Sequence, residues 1–157
     1  MKTLFSILLV LACVNVLSAR QPTDVLKEMA LAGDFDAMVV LGSRFMYGVG
    51  EKIDLAESER WYRMAAVRRD FDGAHGMGTL YLNRKDYVTA FAWFSLYADQ
   101  EVGLREARDD VMSLIPKNRK AEAVQAAARL KDTILKEQAD LLQRHIEETK
   151  KEAGTSR

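Results

Sequence analysis

Apolar residues recur along most of this chain at the spacing of an α-helix. Ala37, Leu41 and Phe45 follow one another at intervals of four residues, and the same spacing returns over residues 73–81. Side chains at i, i+4 and i+8 line one face of a helix, which can then be buried against a neighbour. The pattern predicts an all-α protein.

The first nineteen residues have a different pattern. One lysine, Lys2, precedes a long uncharged and mostly apolar run, which ends in the small pair Ser18-Ala19 before Arg20. A basic N-terminus, a short apolar run and small residues at a cleavage site are typical of a secretory signal peptide. The alternative is an uncleaved membrane anchor, but a span needs about 20 apolar residues, and Asn15 interrupts this run. We expect export, with a mature chain that contains no membrane span and is periplasmic or secreted.

A second alternative concerns the single cysteine. The segment ending in Ala12-Cys13 resembles the lipobox of bacterial lipoproteins, in which lipidation of Cys13 would anchor the protein to a membrane. Leu11 is bulkier than the residue usual there, and the apolar run continues beyond the cysteine. Cleavage after Ala19 is therefore expected instead. It leaves no cysteine, and hence no disulfide or thiolate metal site.

Two long segments of the chain resemble each other. Residues 34–45 align with residues 70–81 at an offset of 36, and residues 54–66 align with residues 86–98 at an offset of 32. The second copy thus lacks four residues of the connecting loop. A period just above thirty with two helical blocks per copy predicts a helical solenoid.

Particular residues support this interpretation of the duplication. Gly42 and Gly78 fall inside predicted helices, where glycine costs about 1 kcal/mol relative to alanine, so a neighbouring helix should approach closely there. Asp34 and Asp70 precede the first helix of each copy. They are predicted N-caps, which accept hydrogen bonds from the exposed amides of the first turn.

The first copy also carries a family pattern. The residues that carry this pattern are spaced Ala37-x3-Leu41-Gly42-x2-Phe45-x2-Gly48-x-Gly50-x3-Asp54-x6-Trp61-Tyr62-x2-Ala65-Ala66. This pattern resembles the Sel-one-like repeat, a relative of the tetratricopeptide repeat, and the chain is similar to small exported bacterial members of that family. The resemblance covers roughly residues 25–130. It departs from the family at Ser58, where alanine is usual, and at Arg69, where glycine is usual.

The resemblance implies a short right-handed α-solenoid of helix-turn-helix repeats with a C-terminal capping helix. The expected segments are 1–19 (signal peptide), 20–33 (degenerate N-terminal repeat helix), 34–69 (first repeat), 70–102 (second repeat), 103–115 (closing helix), 116–152 (long C-terminal helix) and 153–157 (disordered tail).

The long C-terminal helix follows Pro116, with Asn118 as its expected cap. An apolar stripe runs along it through Leu135, Ala139, Leu142 and Ile146. The helix either covers the open end of the stack, as repeat arrays require, or binds a partner. The covering role is the expected one, and a homodimer stays open because two repeats are near the minimum for a solenoid.

Charge and chemistry narrow the function. Lys plus Arg and Asp plus Glu both total 23, so no net field would attract nucleic acid. The two histidines, His75 and His145, lie seventy residues apart without clustered acids or cysteines at ligand spacing, and neither a metal nor a cofactor is expected. The basic residues around Arg60 alternate with acids and predict a solvated face.

The paired aspartates are the remaining candidates for catalysis. Asp34, Asp36, Asp70 and Asp72 could serve a cell-wall enzyme as acids and bases, but they occur at the same place in both copies. A helix start needs a cap each time, whereas an active site is usually built once. The expected protein is therefore not an enzyme. The pairs Trp61-Tyr62 and Trp93-Phe94 are predicted to lie in the core.

The expected function is that of a non-catalytic adaptor or scaffold that binds another protein or a peptide in the cell envelope. The alternatives are a cell-wall-acting enzyme and a structural lipoprotein anchored through Cys13. By fold analogy, the contact surface would lie on the first helix of each copy. The predicted binding strip consists of Asp36, Val39, Ser43, Met46, Asp72, His75, Thr79 and Leu82.

Overall fold

The computed structural model describes residues 21–155, and every regular element in that range is helical. The signal-peptide prediction and Cys13 lie outside the described residues. The helices are α1 (Thr23–Leu31), α2 (Phe35–Tyr47), α3 (Leu55–Val67), α4 (Phe71–Asn83), α5 (Tyr87–Ser95), α6 (Val102–Leu114) and α7 (Lys120–Thr155), with a 3₁₀ turn at Lys117–Arg119. The prediction of an all-α protein is confirmed.

The chain divides into two compact units, Met1–Tyr62 and Arg63–Arg157. We call them the N-terminal unit and the C-terminal unit. The border falls inside α3.

Aspartate side chains begin several of the helices. The Asp34 carboxylate accepts a hydrogen bond from the Ala37 amide at 2.9 Å, and the Asp70 carboxylate accepts one from the Gly73 amide at 2.7 Å. Asp86 does the same for α5. Each bond satisfies an amide that has no partner within its own helix. The predicted caps at Asp34 and Asp70 are confirmed.

The residue before each of these caps has a left-handed backbone. The φ angles are 101° at Gly33, 68° at Arg69 and 60° at Lys85. This conformation ends the preceding helix and turns the chain back, so that the next amide bonds a carbonyl five residues earlier. Glycine adopts it without strain, whereas arginine and lysine do not. Arg69 thus occupies a position that suits glycine.

In the N-terminal unit, α2 packs against both α1 and α3. Its buried residues include Ala37, Leu41 and Phe45, the face that the sequence pattern predicts. Gly42 lies where α3 comes closest, because a Cβ atom added there would sit 2.7 Å from the Tyr62 ring. The predicted close approach at this glycine is confirmed.

In the C-terminal unit, α5 contacts α4, α6 and α7. Gly78 on α4 repeats the role of Gly42, since a Cβ atom there would lie 2.4 Å from the Phe94 ring. The core comprises, among others, Met77, Leu80, Trp93, Phe94, Leu104, Val111 and Ile134. Both predicted aromatic pairs, one in α3 and one in α5, are 5% exposed or less, which confirms their place in the core.

Polar contacts also hold α7 in the C-terminal unit. Gln138 donates its side-chain N–H to the Tyr97 hydroxyl at 2.9 Å, and that hydroxyl donates to the Ala66 carbonyl at 2.8 Å. Burial raises the pKa of Tyr97 despite the hydrogen bond from Gln138. Glu137, the residue before Gln138, forms an ion pair with Arg63. The middle of α7 is therefore fixed by directional bonds as well as by packing.

Three expectations about the C-terminal segment are corrected. Asn118 is not the cap of α7, because it lies inside the 3₁₀ turn, which Pro116 precedes and in which no side chain makes a cap bond. The helix also continues to Thr155, so residues 153–155 are helical, while Ser156 and Arg157 are outside the described range.

The third correction concerns the face of α7. The helix packs through Ala123 and Ile134, which are 0% and 1% exposed, whereas Leu135 and Leu142 of the predicted stripe are 53% and 62% exposed. Ile134 precedes Leu135 by one residue, so the buried face is rotated by about 100° around the helix axis from the predicted stripe. The helix does pack on the unit, but through the neighbouring face.

Candidate functional site

A cleft in the N-terminal unit combines apolar and charged side chains. It has a volume of about 320 Å³ and is lined by Lys27, Leu31, Phe45, Glu57, Arg60 and Trp61. These residues come from α1, the last turns of α2 and the first half of α3. We call this site the α1–α3 cleft.

The α3 wall is arranged around one carboxylate. Asp54 accepts hydrogen bonds from the amides of Ala56 and Glu57, both at 3.0 Å, and so begins the helix. Glu57, Arg60 and Trp61 then follow at i, i+3 and i+4, which places them on one face. Glu57 Oε2 accepts from the Trp61 indole N–H at 2.9 Å, and Oε1 accepts from the Arg60 guanidinium at 3.2 Å.

The opposite wall is formed by α1 and α2. Lys27 and Leu31 are four residues apart on α1, and the ammonium of Lys27 lies 5.8 Å from the centre of the Phe45 ring. Phe45 is 8% exposed, whereas Leu31 is 68% exposed. The α1–α2 pair is fixed nearby, where the buried Arg44 guanidinium donates to the Thr23 hydroxyl at 3.2 Å.

The charges of the cleft do not cancel. Within residues 21–155, Lys27 forms no ion pair, and its contact is with the face of Phe45. Arg60 lies over the Trp61 ring at 5.1 Å and shares the carboxylate of Glu57. Two cations and one anion leave one formal positive charge beside aromatic and aliphatic surface. Such a site is suited to an anionic group attached to an apolar one.

The lining supports binding rather than covalent chemistry. None of its six residues is a serine, cysteine or histidine, and its single carboxylate is already bonded on both oxygens. A nucleophile with an adjacent base, or a pair of acids, is needed for the common hydrolytic mechanisms. The cleft has neither arrangement.

The paired aspartates are used for helix starts. Asp34 and Asp70 are bonded to backbone amides, and Asp36 and Asp72 are exposed in the first turns of α2 and α4. Among the described residues, no group of three or more His, Cys, Asp or Glu side chains is placed to hold a metal ion.

The predicted binding strip lies partly on α2 and partly on α4. On α2, Asp36 is exposed and Val39 is half-buried, while Ser43 is hydrogen-bonded to the Tyr62 hydroxyl. Burial raises the pKa of Tyr62 to about 12, even though the bond to Ser43 lowers it. Part of the strip is therefore engaged within the fold.

Met46 is a correction to that strip. It is 6% exposed and belongs to the core. The last turns of α2 lie between α1 and α3 and bury Arg44, Phe45 and Met46 in succession. A helix packed on two sides buries a wider arc than the single face assumed from the sequence.

The four strip residues on α4 are accessible to different degrees. Asp72 and His75 are exposed, whereas Thr79 and Leu82 are half-buried. The His75 ring packs against the Phe94 ring with centroids 5.5 Å apart. These residues remain candidates for contact with a partner.

Sequence reasoning missed most of the α1–α3 cleft. The charge pattern predicts a solvated face around Arg60, and its side chain is 57% exposed, but the guanidinium also lies over the Trp61 ring. The signal was present in two short spacings, Lys27 to Leu31 and Glu57 to Trp61. Their meaning depends on the packing of three helices, which one helical face does not show.

No family model matches the chain, and no curated protein or solved structure matches it. None of the helices in residues 21–155 combines the length and apolar character that crossing a membrane requires.

Proposed function

We propose that this chain is an exported, non-catalytic adaptor that holds a partner protein in the cell envelope through the α1–α3 cleft. The observation that carries the proposal is Lys27, a cation without a carboxylate partner among the described residues, beside exposed Leu31 and the aromatic wall. Exposed apolar and cationic groups in one concave site are typical of a binding surface.

The proposed architecture is a short right-handed α-solenoid of Sel-one-like repeats. It is supported by the duplicated aspartate caps, by the two equivalent glycine–aromatic approaches and by the packing of successive helices. Export is supported by the uncharged run between Lys2 and Arg20. An intact mass of the exported protein tests this part, because cleavage after Ala19 and lipidation at Cys13 give different masses.

A crosslinked pull-down from envelope extract tests the adaptor. Leu31→Asp places a charge in the cleft, and Leu142→Asp is the matched control, because these leucines are 68% and 62% exposed. We expect a partner that is captured by the wild type and by Leu142→Asp but lost with Leu31→Asp. Helical content measured by circular dichroism should be equal in all three proteins.

Other results of this experiment would count against the proposal. Equal capture by all three proteins would remove the cleft from the function. Loss with Leu142→Asp alone would move the binding surface to α7. Loss of the partner with Val39→Asp or Thr79→Arg, but not with Leu31→Asp, would instead favour the predicted binding strip.

A further inference from the structure

We infer that the ligand of the α1–α3 cleft is a short peptide segment in which a carboxylate adjoins a large apolar side chain. The inference rests on the proposed function and specifies its ligand. The carboxylate would lie between Lys27 and Arg60, and the apolar side chain would pack on Leu31 and Phe45.

The charged side chains of the cleft determine the sign of the ligand charge. The only carboxylate of the lining, Glu57, already accepts from Trp61 and from Arg60. A cationic ligand would lie beside Lys27 and Arg60, two charges of its own sign, and would compete with Arg60 for Glu57. The cleft therefore favours an anion over a cation.

The two cations can both serve such an anion. A guanidinium has five N–H donors, and Arg60 gives one of them to Glu57 at 3.2 Å. Lys27 has three donors and, among the described residues, contacts only the face of Phe45. Charge-assisted hydrogen bonds to a carboxylate are stronger than bonds between neutral groups.

The apolar surface determines the remainder of the ligand. Leu31 is 68% exposed beside Phe45 and Trp61, so an aliphatic or aromatic side chain would remove it from water. A volume of about 320 Å³ is at the lower end of the range for ligand sites, and it suits two or three peptide residues. Nucleic acid requires a longer series of cations along its backbone, which this cleft does not provide.

The carboxylate could belong to an acidic side chain or to a peptide C-terminus, and three labelled probes distinguish the two sources. The first is an acetylated and amidated pentapeptide that alternates leucine and glutamate. The second has glutamine in place of glutamate, and the third is the glutamine peptide with a free C-terminal carboxylate. Fluorescence anisotropy with the full exported chain measures the affinity for each probe.

We expect the first or the third probe to bind at least about tenfold more tightly than the second. The first would identify a side-chain source, and the third a C-terminal one. Lys27→Met removes the ammonium but keeps an apolar stem, and it should weaken the preferred probe about tenfold. Lys136→Met, at an exposed lysine of α7, is the control and should leave the affinity unchanged. Added salt should also weaken binding, because the charges are partly exposed.

The outcomes separate this inference from the proposed function. If Leu31→Asp abolishes capture of the envelope partner while all three probes bind equally and Lys27→Met has no effect, the cleft is a binding site but the ligand chemistry is wrong. If neither cleft variant alters capture or probe binding, both proposals fail. Self-association of the chain that Lys27→Met abolishes would make a second copy the occupant and would also overturn the inference.

Discussion

Two helical hairpins bring a glycine close to an aromatic ring in different chemical surroundings. One is formed by α2 and the part of α3 up to Tyr62, in the N-terminal unit, and the other by α4 and α5, in the C-terminal unit. In both, a glycine in the first helix lets an aromatic ring of the second approach. The missing Cβ atom would lie 2.7 Å from the ring at Gly42 and 2.4 Å from it at Gly78. The backbone approach is therefore common to the two copies.

Hydrogen bonds accompany the close approach in the first hairpin but not at the equivalent positions of the second. Tyr62 is bonded to Ser43, and the buried Ser58 hydroxyl donates to the Gly42 carbonyl at 2.8 Å. The equivalent positions in the second hairpin are Phe94 and Ala90, which are 1% and 0% exposed. Close helix packing thus needs the small residue in both hairpins, but it does not need the hydrogen bonds.

The connecting loops differ as well. The first hairpin turns through residues 48–54, where Gly48 is left-handed with φ of 72°. The second turns through residues 84–86, where Lys85 takes the left-handed conformation. The shorter loop is thus made with a residue that is less suited to the turn.

The largest expected difference between the two hairpins is in the loss of stability at alkaline pH. Burial raises the pKa of Tyr62 to about 12, compared with about 10 in an unfolded chain. Its contribution to stability is complete below pH 10 and is lost as the pH rises from 10 to 12, by up to about 3 kcal/mol. Tyr62→Phe, which copies the second hairpin, should remove this part of the pH dependence.

Urea unfolding between pH 8.5 and 12 measures the effect, with Tyr87→Phe as the control. The control should follow the wild type throughout. A Tyr62→Phe protein that loses stability as steeply as the wild type above pH 10 would contradict the assignment.

Alanine at the two glycines should give the next largest effect. Gly78→Ala should lower the free energy of unfolding by about 2 kcal/mol, since overpacking costs up to about 3 and improved helix propensity returns about 1. Gly42→Ala should cost less, because its ring is 0.3 Å further from the added atom. Chemical denaturation measures both values.

Gly103→Ala is the control for this pair. The nearest atoms to its Cβ would be those of the Glu101 carboxyl group, starting at 3.1 Å, and it should stay within about 1 kcal/mol of the wild type. A Gly78→Ala protein as stable as this control would show that Phe94 moves aside freely.

The smallest expected effect concerns the loops. Lys85→Gly should raise the free energy of unfolding by about 0.5–1 kcal/mol, because the left-handed backbone no longer carries a side chain. Lys85→Ala retains the Cβ atom and should not give this gain. Thermal unfolding distinguishes them, and equal melting temperatures for the two variants would refute the backbone explanation.

Local features of the fold were predictable from the sequence. The caps at Asp34 and Asp70, the close approaches at Gly42 and Gly78, and the core aromatics all depend on short-range spacing. A helix start needs an acceptor, and a close approach needs a missing side chain. These requirements apply wherever the helices are packed.

Features that depend on several packed helices were not predictable. The sequence selected the stripe at Leu135 as the buried face of α7, whereas Ile134 is buried instead. Both residues are aliphatic, so their side chains alone do not determine which one is buried. The packing of α7 on α5 and the bonds of Glu137 and Gln138 determine it. Met46 and the α1–α3 cleft escaped prediction for the same reason, since three helices surround them.

The tryptophans offer a separate view of each unit. The chain has two; Trp61 lies in the N-terminal unit and Trp93 in the C-terminal unit, and both are 2% exposed. The Trp61 indole is bonded to Glu57 in the wall of the cleft, whereas Trp93 lies beneath the Arg63 guanidinium. Replacing either one by phenylalanine would leave a single tryptophan, whose selectively excited emission would report the unfolding of one unit. With Trp61 retained, that emission would also report the occupancy of the cleft.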